Sequence, residues 1–134
     1  GVILDLGDAG RSLWFTGTSG TLTSPAGEFS TLVKNGDNTY TRTLTDGTKI
    51  NFDTSGYQTS VVDRNSLRTT FAYSSGRLST VTDPYNKITT FGYDGSNKIQ
   101  TATDPAGRVT TFSVSIFESA VTLTVCPSAR YAAS

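Results

Sequence analysis

The chain has 134 residues, enough for one domain with a modest core, and its 11 Lys and Arg balance its 11 Asp and Glu, so no net field favours nucleic acid, an anionic membrane or a polyacidic substrate. It has no histidine and one cysteine, which removes the usual general base, the Ser-His and Cys-His nucleophile pairs, the commonest zinc ligand and any internal disulfide. No run of about eighteen apolar residues is present, so no membrane span is expected, and a start at Gly1 without a charged-then-apolar leader suggests a processed product or an excerpt.

Twenty-four threonines and the absence of apolar residues at helical spacing predict an all-β chain. In chain order, residues 12–16 read as a strand, then Thr21-Leu22-Thr23 before the turn Ser24-Pro25-Ala26-Gly27. Residues 29–34 follow as a strand before Asn35-Gly36-Asp37-Asn38. Residues 39–45 alternate into the turn Asp46-Gly47, which leads to a strand over 48–52. A block of about twenty residues then recurs. The first full copy opens at Asp63-Arg64-Asn65-Ser66-Leu67 and runs through Thr69-Thr70-Phe71-Ala72-Tyr73 and Gly76-Arg77-Leu78 to Thr80-Val81-Thr82. The second opens at Asp83-Pro84-Tyr85-Asn86-Lys87 and runs through Thr89-Thr90-Phe91-Gly92-Tyr93 and Asn97-Lys98-Ile99 to Thr101-Ala102-Thr103. The third, Asp104-Pro105-Ala106-Gly107-Arg108, reaches Thr110-Thr111-Phe112 before Val114 replaces the tyrosine, and a degenerate half copy over 50–62 precedes them all. The spacing is twenty residues, then twenty-one, with the extra residue between Tyr93 and Asn97.

Within each copy Phe and Tyr stand two apart, so they project together from one face of a strand. Ile50, Phe52, Phe71, Tyr73, Phe91, Tyr93 and Phe112 are therefore the expected repeat core. Both flanks are turn chemistry, carried by Asp63, Asp83, Pro84, Asn86, Asp104, Pro105, Gly107 and Gly76. Gly107, Asn86 and Ser66 fall where a positive φ is needed, and Ser tolerates it worst, so the Ser66 turn is expected to be the least regular. Each repeat is a hairpin, and successive hairpins should pair into an antiparallel meander. The chain divides into a leading segment over 1–46, repeats over 47–115 (copies near 47–62, 63–82, 83–103 and 104–115) and a divergent strand and tail over 116–134. Val121, Leu123 and Val125 alternate in a last strand stopped by Cys126-Pro127, where the cysteine reads as a buried or incidental thiol.

Without histidine, catalysis would rest on carboxylates. Asp63, Asp83 and Asp104 occupy one slot of the repeat, where an Asp caps its own turn by accepting a backbone N–H two residues on. Equivalent slots lie about one hairpin apart, whereas catalytic pairs converge in a cleft. No loop has an EF-hand or nonapeptide calcium spacing, and no cofactor is expected.

Asp-Pro-x-Gly-Arg, Thr-Thr-Phe-x-Tyr-Asp and Gly-Arg-Leu-x-x-Val-Thr-Asp-Pro together resemble the RHS or YD repeat of large bacterial surface and toxin proteins. The signature tyrosine and its follower fall on Tyr73-Ser74 and Tyr93-Asp94, with Phe52-Asp53 as a variant; the Gly-Arg-Leu element falls on Gly76-Arg77-Leu78 and, modified, on Asn97-Lys98-Ile99. The resemblance covers roughly residues 4–114 and lapses from Ile116, where Phe117-Glu118-Ser119-Ala120 has neither the glycine nor the aspartate of the pattern. It implies a curled meander, a segment of a hollow shell that encloses a toxin or other cargo or mediates contact at the cell surface, with the repeats as non-enzymatic scaffold. Strands about 4.8 Å apart give ten or so of them a width of about 45–50 Å, too little to enclose anything. The partner is thus the remainder of a longer parent or further copies of the chain. Two alternatives accompany the scaffold reading: a self-assembling extracellular fibre that pairs the edge at Val121, Leu123 and Val125 with the strand around residues 2–6 of a neighbour, and a Thr-rich ice- or glycan-binding surface on residues such as Thr80, Thr82, Thr101 and Thr103.

Overall fold

A computed structural model describes residues 1–6, 11–117 and 120–127, with side chains described as far as Ser113, so the side chains of the edge residues Val121, Leu123 and Val125 and of Cys126 lie outside the described part. Among the described residues the secondary structure is β-strand, and no helix is long and apolar enough to cross a membrane. Two strands, β1 (Val2–Asp5) and β2 (Ser12–Phe15), pair as a separate two-stranded sheet. Eleven more follow in strict sequential order as one antiparallel meander: β3 (Gly20–Leu22), β4 (Thr31–Lys34), β5 (Tyr40–Thr43), β6 (Lys49–Phe52), β7 (Gln58–Val62), β8 (Arg68–Ser74), β9 (Arg77–Thr82), β10 (Ile88–Tyr93), β11 (Ile99–Thr103), β12 (Val109–Phe117) and β13 (Ala120–Pro127). Sequential antiparallel order is what short turn-separated, Thr-rich strands give, since each pairs with the neighbour its own turn delivers.

Several boundaries differ from the sequence reading: β2 ends at Phe15, β5 runs only from Tyr40 to Thr43 because Leu44 opens the next turn, and β6 begins at Lys49. β4 starts at Thr31 because the Ser30 N–H donates to the Glu28 carboxylate (2.8 Å) instead of joining the ladder, which leaves Phe29 exposed. β13 runs through Pro127, aligned with Thr110 at the sheet edge, where the missing N–H of proline is tolerated.

Packing divides the chain into two compact units, Gly1–Thr70 and Phe71–Ser134. In the first, cross-strand partners Leu22, Leu32, Arg42, Ile50, Val61 and Thr69 share one face, with Tyr40 opposite Phe52 on the same side. The β1–β2 hairpin lies on that face. Among the described residues Phe15, Leu22 and Leu32 (0%, 3% and 1% exposed) are the buried apolar ones, and Val2, Leu4, Leu13 and Tyr40 pack around them. The opposite face is polar and laterally hydrogen-bonded. Asn35 Nδ2 donates to Thr39 and Thr41 Oγ1 (2.8 and 3.2 Å), Thr41 to Asn51 Oδ1 (3.0 Å), and Asn51 Nδ2 and Arg68 Nη1 to Ser60 Oγ (2.9 Å each). In the second unit one face carries Val81, Thr89, Phe91, Ala102, Thr110 and Phe112, and the other carries Thr80, Thr90, Thr103, Thr101 and Thr111.

Candidate functional site

The chemistry-bearing residues of this chain sit in its turns, and the turns are one device repeated. At Asp83 the Asn86 N–H donates to the Asp83 carbonyl (3.1 Å) and the Asp83 N–H to the Lys87 carbonyl (2.9 Å), closing a type I turn with a left-handed fourth residue. The same bonds recur in turns opening at Asn35, Leu44, Asp53, Asp63, Asp94 and Asp104, with Asn38, Gly47, Gly56, Ser66, Asn97 and Gly107 at positive φ. The structural period is therefore one turn about every ten residues. The sequence shows twenty because successive turns are written in different residues. Pro84 and Pro105 fill the second position, where φ near −65° is wanted and no N–H is used.

In the five of these turns that open on an aspartate, the Asp side chain closes the turn a second time. Oδ1 of Asp83 accepts the N–H of Tyr85 and Lys87 (2.8 and 2.9 Å), that of Asp63 the N–H of Asn65 and Leu67 (2.8 and 3.0 Å), and that of Asp104 the N–H of Ala106 and Arg108 (3.0 and 2.9 Å). Asp53 and Asp94, matched in the sequence to the signature pair but given no turn role there, bond in the same way. The backbone N–H of Arg108 holds Asp104 below the usual carboxylate range, and that of Lys98 does the same for Asp94. Such carboxylates are acceptors fixed on their own backbone. Among the described residues no three metal-ligating side chains gather.

The Ser66 turn corrects an expectation: its φ is 64° and both of its backbone bonds are 3.0 Å, so it is as regular as the glycine and asparagine turns. The two bonds to Asp63 over-determine the loop, and Ser66 adopts the strained conformation that they impose. Gly76 belongs to a different turn, a two-residue link with Ser75 and Gly76 both at positive φ (53° and 74°). The extra residue between Tyr93 and Asn97 is what converts that tight link into the three-residue turn at Asp94.

The aromatic positions are half-buried. Thr69, Phe71 and Tyr73 are the more protected alternate residues of β8, and Phe91 and Tyr93 lie on the protected side of β10. Tyr93 anchors its neighbourhood: its hydroxyl donates to the Leu78 carbonyl (2.7 Å), Arg77 lies 4.8 Å above its ring, and Arg77 Nη1 donates to Asn97 Oδ1 (2.6 Å). The ladder register slips at Tyr93, opposite Ile99, and at Phe52, opposite Gln58, so a bulge marks the same slot of two copies.

Sequence reasoning missed one cluster. Glu28, Ser30 and Arg42 meet under the loop before β4: Arg42 Nε donates to Ser30 Oγ (2.9 Å), Arg42 Nη2 lies 3.4 Å from Glu28 Oε1, and Ser24 Oγ donates to the Ser30 carbonyl (2.8 Å). Both charged side chains are largely buried (12% and 14% exposed), and the bonds from Ser30 chiefly hold Glu28 below its usual pKa, with Arg42 adding to the effect. Only the pairing of β4 with β5 brings Arg42 to this loop, so no local motif announces it.

With strand, bulge, aromatic anchor and Asp-capped turn recurring in this order, comparison with protein-family models finds a match to the RHS Repeat over residues 74–109. The chain carries an RHS repeat. No curated protein matches it. The RHS stretch runs from the end of β8 to the start of β12 and contains the Asp83, Asp94 and Asp104 turns, the Arg77–Tyr93 stack and the bulge at Tyr93. The Asp carboxylates of the RHS turns bond the backbone that carries them.

Proposed function

We propose that the chain is a non-enzymatic scaffold module of a secreted or cell-surface RHS/YD-repeat protein, part of a shell wall or a contact surface. The observation that carries this reading is the engagement of the Asp side chains at 53, 63, 83, 94 and 104 in identical bonds to their own turns. Such groups stabilise a backbone shape and present no free base or nucleophile. Protease added to intact source cells, followed by an antibody against residues 20–113, tests the location. Loss of the epitope without lysis is expected; an epitope that is cut only after lysis overturns the surface reading.

A second reading is favoured by the place of β13, which ends the eleven-stranded sheet with β12 as its neighbour. An alternating, uncharged terminal strand is a template for a further strand, and head-to-tail pairing between copies would propagate as a fibre. A lesser reading rests on register: Thr80, Thr90 and Thr103 stand opposite one another, as do Thr101 and Thr111, which makes a threonine array suited to ice or glycan. Inhibition of ice recrystallisation is the assay for it.

A further inference from the structure

The β1–β2 hairpin covers only part of the sheet face on which it lies. Beyond β1 that face continues to Phe52, and between them is a groove of about 440 Å³, floored by Leu32, Tyr40 and Phe52 and closed by the turn residues Thr54 to Gly56. Four successive residues of β1, Val2 to Asp5, form its wall, and its lining includes none from β2. The groove therefore follows the edge of β1 that β2 does not occupy.

Register says which backbone groups face it. The Leu6 N–H donates to the Arg11 carbonyl (3.1 Å), so Leu6 and Arg11 are a hydrogen-bonded pair. Such pairs alternate along an antiparallel ladder, which makes Leu4–Leu13 and Val2–Phe15 bonded and leaves Ile3, opposite Trp14, with its N–H and C=O directed away from β2. The Ile3 side chain is 62% exposed and contributes nothing to the core beneath.

We propose that this groove takes an extended peptide strand, which pairs with the Ile3 edge of β1 and sets apolar side chains, two residues apart, onto Tyr40 and Phe52. The occupant is specified by continuity with the hairpin's own interface. β1 already packs Val2 and Leu4 inward on this face and turns Ile3 and Asp5 outward, and the next strand of the same layer, about 4.8 Å further on, meets the apolar floor with the same alternation. Its chemistry is a partner segment with Val-, Ile- or Leu-type residues at every second position and uncharged polar residues between. This inference goes beyond the scaffold reading and stands or falls separately from it.

The test is fluorescence anisotropy with the full chain and a labelled acetyl-Val-Thr-Val-Thr-Val-Thr-amide peptide. Saturable binding is expected, weakened about tenfold or more by Ile3→Pro, which removes the facing N–H yet keeps the bonds to β2, and retained by Ile3→Val. The same peptide N-methylated at every amide is expected not to bind, and this arm leaves the protein unaltered should Ile3→Pro disturb the hairpin. Absence of saturable binding, or equal binding of the methylated peptide, overturns the proposal. So does a dimer that excludes the peptide and disappears with Ile3→Pro, because a second copy would then be the occupant.

Discussion

At the scale of single residues the turns make a compact experiment in backbone strain. Ser66 and Gly107 occupy the same slot at φ 64° and 82°, so one backbone is held by a residue that resists the conformation and by one that does not. Ser66→Gly is expected to stabilise the chain by about 0.5–1 kcal/mol and Gly107→Ser to destabilise it by a similar amount, read as opposite shifts of the urea midpoint. The Glu28 carboxylate gives the residue-scale pH dependence. Its pKa is lowered on folding, so its contribution is present above the unfolded value and is lost as pH falls through the folded one. Stability measured by urea titration should therefore drop as the solution is acidified below about pH 4.5, and Glu28→Gln should flatten that drop. Arg42→Ala is expected to cost about 2–3 kcal/mol, since it leaves Glu28 largely buried without its counter-ion.

Strands and hairpins separate a buried core from a half-covered one. Leu32, on β4 beneath Phe15, is fully buried, and Leu32→Ala is expected to cost about 2–5 kcal/mol. Phe91, on β10, is half-buried, so Phe91→Ala should cost about 1–3 kcal/mol, below the about 3–5 kcal/mol of a fully buried phenylalanine. Thermal melts of the two variants check the order. The sequence showed the Phe and Tyr positions because they recur in register, but recurrence reports a strand's period and not what covers it. Leu22 and Phe15 lie outside the repeat, where neither spacing nor motif singled them out. Their burial comes from a hairpin folding back onto the sheet, and Arg42 meets Glu28 through pairing of β4 with β5, neither of which is a local property.

At the scale of the whole molecule, stability should be graded and not uniform. Repeat hairpins contact mainly their neighbours, so stability sums locally, and among the described residues the buried apolar side chains lie in β2, β3 and β4. Amide exchange is expected to be slowest there and faster along β9 to β11; equal protection throughout would contradict a graded array. The terminal place of β13 supplies the other large-scale test. If copies assemble through it, Leu123→Pro or deletion of residues 116–134 should abolish sedimenting polymer and leave the repeat hairpins folded, whereas a chain that stays monomeric at high concentration rules the fibre out. The sequence by itself determined the all-β class, the meander order, the positive-φ positions at 66, 86 and 107 and the use of Asp63, Asp83 and Asp104, because turn geometry is fixed within five residues by local sterics and hydrogen bonds. Only the tertiary structure decided where the chain is dry, that Glu28 and Arg42 meet, and that β1 keeps an edge beside an apolar groove, because each depends on residues that neighbouring layers or strands bring together.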